Sequence, residues 1–132
     1  MAASVMTGGG VSGASSIFCL YGNLGSGKTT FTQGFARGLG ITNRLLSPTF
    51  IIVRRYRIPK TTGFLYHLDL YRLQSVSEMK DLGIDEIFKD RDSCVVIEWA
   101  EKLGSMKPGS RTDLSFSVTD NGYHEVEITA HT

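Results

Sequence analysis

The stretch Gly22-Asn23-Leu24-Gly25-Ser26-Gly27-Lys28-Thr29 decides how this chain is read, because it fits the pattern GxxxxGK followed by Ser or Thr at every fixed position. Roughly one chain of this composition in a hundred would match by chance. A loop that turns backbone N–H groups inward around an anion needs residues without a Cβ clash, followed by a helix whose N-terminus faces the same anion. The flanks supply that order. "SIFCLY" before the glycines is a strand-like apolar run, and Lys28 onward has Phe31, Phe35 and Leu39 at helical spacing, with Gly40 as the stop. Such a loop assigns nucleotide phosphates to Gly22, Asn23, Leu24, Gly25, Ser26, Gly27, Lys28, Thr29 and Thr30, with Lys28 on the β- and γ-phosphates and the Thr29 hydroxyl on Mg²⁺. The bland alternative is a Gly-rich turn carrying an exposed lysine.

Phosphoryl chemistry on such a loop also needs a carboxylate at the end of a buried strand nearby. Two strands offer one: Asp69 ends "FLYHLD" and Glu98 ends "CVVIE". The four apolar residues before Glu98 make it the stronger metal-associated acid, which leaves Asp69 to order a metal-bound water or polarise an attacking one. The reverse assignment stays open, as does an ordinary surface role for one of the two. His67 stands two residues before Asp69, hence on the same strand face, where it either bonds phosphate or sits satisfied in the core. Arg72 either reaches phosphate or anchors a surface carboxylate. Trp99, the lone tryptophan, directly follows Glu98 and lies either near the nucleotide or in core or interface packing.

Beyond the motif, "TFIIVRRY" and "FLYHLDLY" read as strands around the breaker "IPKTTG", followed by a short helical stretch, "VSEMKDLG", and the strand "CVVIEW". Leu114, Phe116 and Val118 alternate with polar residues before "DNG", and Val126, Ile128 and Ala130 alternate after it, which is a hairpin signal. The expected fold is α/β and P-loop NTPase-like: a mostly parallel central sheet with helices and a C-terminal antiparallel hairpin. Residues 1–15, "MAASVMTGGGVSGAS", read as a flexible Gly/Ser-rich tail, and residues 16–132 as one domain.

The 132 residues carry a net charge of +1 that hides an asymmetry. No acid precedes Asp69, while residues 1–68 hold seven Lys and Arg, so the two parts carry +7 and −6. The segment Arg44 to Lys60, with Arg54, Arg55 and Arg57, is either a solvated face or a surface for RNA phosphates or an acidic partner. Cys19 and Cys94 lie in apolar runs without zinc-ligand spacing and read as buried, reduced thiols. With no membrane-length apolar run and no charged leader, a soluble cytoplasmic protein is expected.

Taken together, "GNLGSGKTTF", "SPTF", "YHLDLYRL", "DLGIDEIF" and "VVIEW" resemble, in order and spacing, the small bacterial TsaE-type P-loop ATPases of tRNA threonylcarbamoyladenosine biosynthesis. The resemblance runs from about Ser16 to Leu103 and more weakly through the final hairpin. It implies an Mg²⁺-dependent ATPase that resets a TsaD/TsaB-like tRNA-modifying complex between rounds, with tRNA as an indirect partner, direct contact being left open, and no membrane. Carried over residue by residue, Ser47 and Thr49 of "SPTF" become switch residues sensing the γ-phosphate, Asp69 an essential catalytic acid and Glu98 a Mg²⁺-associated acid beside Trp99. Two departures stand out. A Gly- and Ser-rich stretch fills the place where members usually have a strand and helix before the P-loop strand, and Tyr123 follows Gly122 where relatives often have arginine. Competing classes are a small P-loop kinase, for which the chain has little lid, and a nucleotide-gated binding module with negligible turnover. The Asn-Lys-x-Asp segment of regulatory GTPases is absent.

Overall fold

The elements follow in the order β1 (Ile17–Tyr21), α1 (Lys28–Gly38), β2 (Val53–Arg57), β3 (Phe64–Asp69), α2 (Val76–Asp81), α3 (Ile84–Lys89), β4 (Cys94–Glu98), a 3₁₀ segment (Ala100–Met106), β5 (Arg111–Val118) and β6 (His124–His131). This is a computed structural model, and it describes residues 16–23, 27–43 and 52–132. The tail read at residues 1–15, the loop centre Leu24, Gly25 and Ser26, and the switch residues Ser47 and Thr49 lie outside the described residues.

One six-stranded sheet has the order β2-β3-β4-β1-β5-β6. β3, β4, β1 and β5 run parallel, while β2 and β6 close the two edges in antiparallel pairing. The strands in the middle are apolar on both sides, as burial on two faces requires: β1 and β4 each bury four consecutive residues. Alternate side chains then feed two cores. Phe18, Leu20, Leu65, Val96 and Leu114 meet Phe31, Phe35 and Ala36 of α1 on one face. Cys19, Leu68, Val95 and Ile97 meet Met79 of α2, Ile84 of α3 and Leu103 of the 3₁₀ segment on the other. Each fully buried Leu, Ile or Phe in these layers contributes about 1.5–3 kcal/mol.

Helix α1 ends as its sequence demands. Gly40 takes φ 87°, its N–H donates to Arg37 O, and Ile41 N–H donates to Ala36 O, which closes the last turn in a Schellman motif. The hairpin β5–β6 turns through Asp120-Asn121-Gly122, with Gly122 N–H on Thr119 O and Gly122 at φ 85°, a three-residue loop with a left-handed glycine.

Two elements depart from the sequence reading. "VSEMKDLG" gives one helix only as far as Asp81; Gly83 at φ 73° then breaks the chain, and a second helix, α3, follows. The six residues of α3 are too few to show helical periodicity, so the helix was not legible. The 3₁₀ segment after β4 has the same cause: it is set off by Trp99 at φ 58° and kinked at Gly104. At the other end of the sheet, Gly63 has a structural reason of its own, since a Cβ there would lie 1.7 Å from Asp92 O. The β2–β3 turn thereby abuts the entry to β4, where Ser93 Oγ accepts from Phe64 N–H at 2.9 Å.

Cys19 and Cys94 are buried free thiols, on opposite faces of the sheet, and burial pushes the Cys19 thiol up to about 11. Among the described residues, no helix is long and apolar enough to cross a membrane.

Candidate nucleotide site

Parallel strands β1, β3 and β4 end together, and the chain chemistry collects at those ends. β1 passes through Gly22, at φ 144°, into the Gly-rich turn, and Gly27, at φ 112°, delivers the chain into α1. Only glycine takes these angles without strain. Gly27 rests on the C-terminal hairpin, a Cβ there lying 3.7 Å from Phe116 Cδ2 and 3.8 Å from His124 Nδ1. Helix α1 starts with no side-chain cap and no acid in its first turn. Its leading N–H groups and the positive end of its dipole are therefore left for an external anion.

Lys28, at the first position of α1, is only 6% exposed. Its Nζ donates to Gly22 O at 2.6 Å and stands 5.1 Å from the centre of the Trp99 ring. The ammonium thus folds back to the end of β1, held by one carbonyl and one aromatic face. Thr29 and Thr30 are exposed on the first helical turn, and Asn23 is exposed at the start of the loop.

Asp69 and Glu98 are register partners at the ends of β3 and β4, so both carboxylates rise on the α1 side of the sheet. Asp69 Oδ1 accepts from Tyr71 N–H at 3.0 Å. Burial pushes the Asp69 carboxyl up and the Glu98 charge adds to this, while the Tyr71 N–H, His67 and Lys28 pull the other way. Glu98 is held differently: His67 Nε2 lies 2.6 Å from Glu98 Oε2, with side-chain exposures of 5% and 13%. Sequence reading offered His67 phosphate or a satisfied core position. The structure buries it, as the core reading expects, but there it bonds the candidate metal acid, and its Nδ1 has no partner.

Trp99 is brought to the site, its ring contacting Tyr71 with centroids 5.0 Å apart. Tyr71 and Lys102 were not singled out from sequence; Lys102 Nζ donates to Tyr71 O and Leu73 O at 2.9 and 3.2 Å, tying the chain beyond β3 to the 3₁₀ segment. No spacing rule joins residues so far apart in sequence. The basic run is divided by the pleat of β2: Arg54 is the cross-strand partner of His67 on the α1 side, whereas Arg55 and Arg57 point to the other face, Arg55 lying over the Phe64 ring at 4.5 Å. The three arginines do not form one stripe.

The donor set fits ATP with Mg²⁺. Uncapped N–H groups and a buried lysine suit phosphates, and a hydroxyl with two carboxylates supplies the hard oxygens that Mg²⁺ takes together with phosphate and water. Among the described residues, no group of three or more His, Cys, Asp or Glu could hold a metal by itself. A metal here would therefore share its oxygens with the nucleotide.

The fold is α/β and P-loop NTPase-like, with a mostly parallel sheet and a terminal antiparallel hairpin. The family model for threonylcarbamoyl adenosine biosynthesis protein TsaE matches residues 3–127. The chain belongs to the TsaE family. Among its relatives, the tRNA threonylcarbamoyladenosine biosynthesis protein TsaE of Bacillus subtilis is 42% identical over 117 residues, covering 86% of this chain and 69% of its own. That of a Nostoc species is 38% identical over 122 residues, covering 88% and 71%. The crystal structure of Bacillus subtilis YdiB superposes with a TM-score of 0.70 at 34% identity, covering 88% of this chain and 68% of that one.

Proposed function

We propose that this chain binds ATP with Mg²⁺ and hydrolyses it in support of tRNA threonylcarbamoyladenosine modification. The observation that carries the reading is Lys28, buried at the start of an uncapped helix, together with Asp69 and Glu98 side by side at the ends of adjacent parallel strands. Lys28 would leave Gly22 O for the β- and γ-phosphates, and the N–H groups of residues 22–30 would line the rest of the polyphosphate. Thr29 and Glu98 would hold Mg²⁺, which supplies neutralisation of phosphate charge. Asp69, whose raised carboxyl makes it a better base than an exposed aspartate, would orient the attacking water and draw on its proton. Thr49 would couple the γ-phosphate to the "SPTF" segment, so that hydrolysis releases it.

The pathway follows from family membership and from the names of the relatives. In this reading the partners are TsaD/TsaB-like subunits of the tRNA threonylcarbamoyltransferase complex, the compartment is the cytoplasm, and the chain performs no covalent chemistry on tRNA itself. The test is Mg²⁺-dependent ATP hydrolysis by the purified chain, alone and with that complex, with Lys28→Ala as the blank. Slow turnover that rises with partners and disappears in the blank is expected. Tight ATP binding with no turnover in either setting would instead make the chain a nucleotide-gated module.

A further inference from the structure

The histidine beneath the acid pair has an arrangement that packing does not explain. His67 is buried, on a strand whose neighbouring inward position on the same face is Leu65, and an aliphatic side chain would fill the same space without two polar nitrogens. Nδ1 has no partner, an unfavourable state for a buried polar atom. Directly across the β2–β3 pair, on the same face, Arg54 has a buried Nε that is also without a partner. The two unpaired nitrogens belong to register partners on adjacent strands, and β3 lies next to the strand of Glu98. Register sets the rest: His67 pairs with Val96, two positions before Glu98, so the imidazole meets the carboxylate from inside the sheet. Oε2 is taken by Nε2 at 2.6 Å, which leaves Oε1 as the oxygen that His67 does not hold.

We propose that His67 is a positioning residue: by donating from Nε2 to Glu98 Oε2 it fixes the carboxylate so that a single oxygen faces the metal and nucleotide. With the ring proton on Nε2, Nδ1 is left as the bare acceptor nitrogen of the ring. The proposal deepens the ATPase reading and rests on it for the identity of the metal. It differs from a core role in what it requires at position 67, which is a donor at the reach of Nε2 and not merely volume.

The experiment compares wild type, His67→Gln, which keeps a terminal amide donor at similar reach, and His67→Met, which keeps bulk alone. Each is loaded with a non-hydrolysable ATP analogue and titrated with Mn²⁺ by electron paramagnetic resonance, after thermal melts and metal-free analogue affinities confirm intact folding. His67→Met should weaken Mn²⁺ by about ten-fold, with His67→Gln staying within about three-fold of wild type. Equal Mn²⁺ affinity in wild type and His67→Met overturns the proposal, as does His67→Gln falling as far as His67→Met, or a wild-type chain that binds no Mn²⁺. Should His67→Met not fold, ¹⁵N NMR of the wild-type imidazole decides: a proton on Nε2 whose resonance moves in Glu98→Gln supports the role, and a bare Nε2 overturns it. A preserved Mn²⁺ pattern in a chain that never hydrolyses ATP, even with partners, would remove the ATPase reading while leaving His67 in place.

Discussion

Two carboxylates in this sheet each have a histidine beside them, and they are treated in opposite ways. Asp113 on β5 has both oxygens engaged: Oδ1 accepts from Arg111 Nε at 3.0 Å and from the Tyr21 hydroxyl at 3.4 Å, while Oδ2 lies 3.0 Å from His131 Nε2. Glu98 on β4 has one oxygen held by His67, and beside it Asp69 takes a single backbone N–H. The difference separates a carboxylate that ties strands β1, β5 and β6 together from carboxylates kept partly unfilled at the end of the sheet. An acid with both oxygens engaged adds stability, whereas an under-coordinated one keeps capacity for a ligand.

Substitutions sharpen this contrast. Glu98→Gln should lower ATP turnover by about 100-fold while leaving the melting temperature nearly unchanged, as measured by steady-state hydrolysis and thermal unfolding. Normal turnover in that variant would move the metal role to Asp69. Asp113→Ala should show the reverse, losing about 1–2 kcal/mol of stability in denaturant unfolding with turnover close to wild type, because it strands the Arg111, Tyr21 and His131 donors. A loss of turnover larger than the loss of folded protein would end the claim that Asp113 is structural.

Asp69→Asn should stabilise and inactivate together. Burial raises the Asp69 carboxyl above 3.8, so the folded chain holds that proton more tightly than the unfolded one. Its contribution to stability is full below 3.8 and is lost as pH rises through the folded value. The asparagine variant escapes that loss, and at pH 7 it should melt above wild type, with the gap closing on acidification. A gap that widens on acidification would contradict the raised carboxyl. The smallest effect belongs to His131→Gln: its side chain is 38% exposed, so breaking the bond to Asp113 should cost only about 0.3 kcal/mol, read from urea midpoints.

Much of this was legible in the residues because it depends on local pattern. Buried runs such as "SIFCLY" and "CVVIEW", the glycines flanking Lys28 and the Gly40 stop each act within a few neighbours, and they became β1, β4 and α1. Asp69 and Glu98 were placed as strand ends for the same reason, and their pairing across β3 and β4 follows from parallel register. What sequence could not supply was partnership. The His67–Glu98 bond spans two strands far apart in the chain, and period-two spacing put His67 on the right face without saying which of its neighbours it meets. The basic run failed in the opposite sense: Arg54, Arg55 and Arg57 are close in sequence, yet the pleat of β2 sends Arg54 inward and the other two to the opposite side. Helix α3 was missed because six residues opening at a left-handed glycine carry too little periodicity to register.

Trp99 leaves β4 at φ 58°, a left-handed turn that a bulky residue rarely adopts, and its ring sits 5.1 Å from the Lys28 ammonium. It is also the only tryptophan in the chain. Excited at the long-wavelength edge where tyrosine does not absorb, the protein therefore emits from one indole, whose excited state feels the field of the Lys28 cation. Any movement of that cation is written into the colour and intensity of the light, with no label attached and no second fluorophore of its kind to dilute the signal.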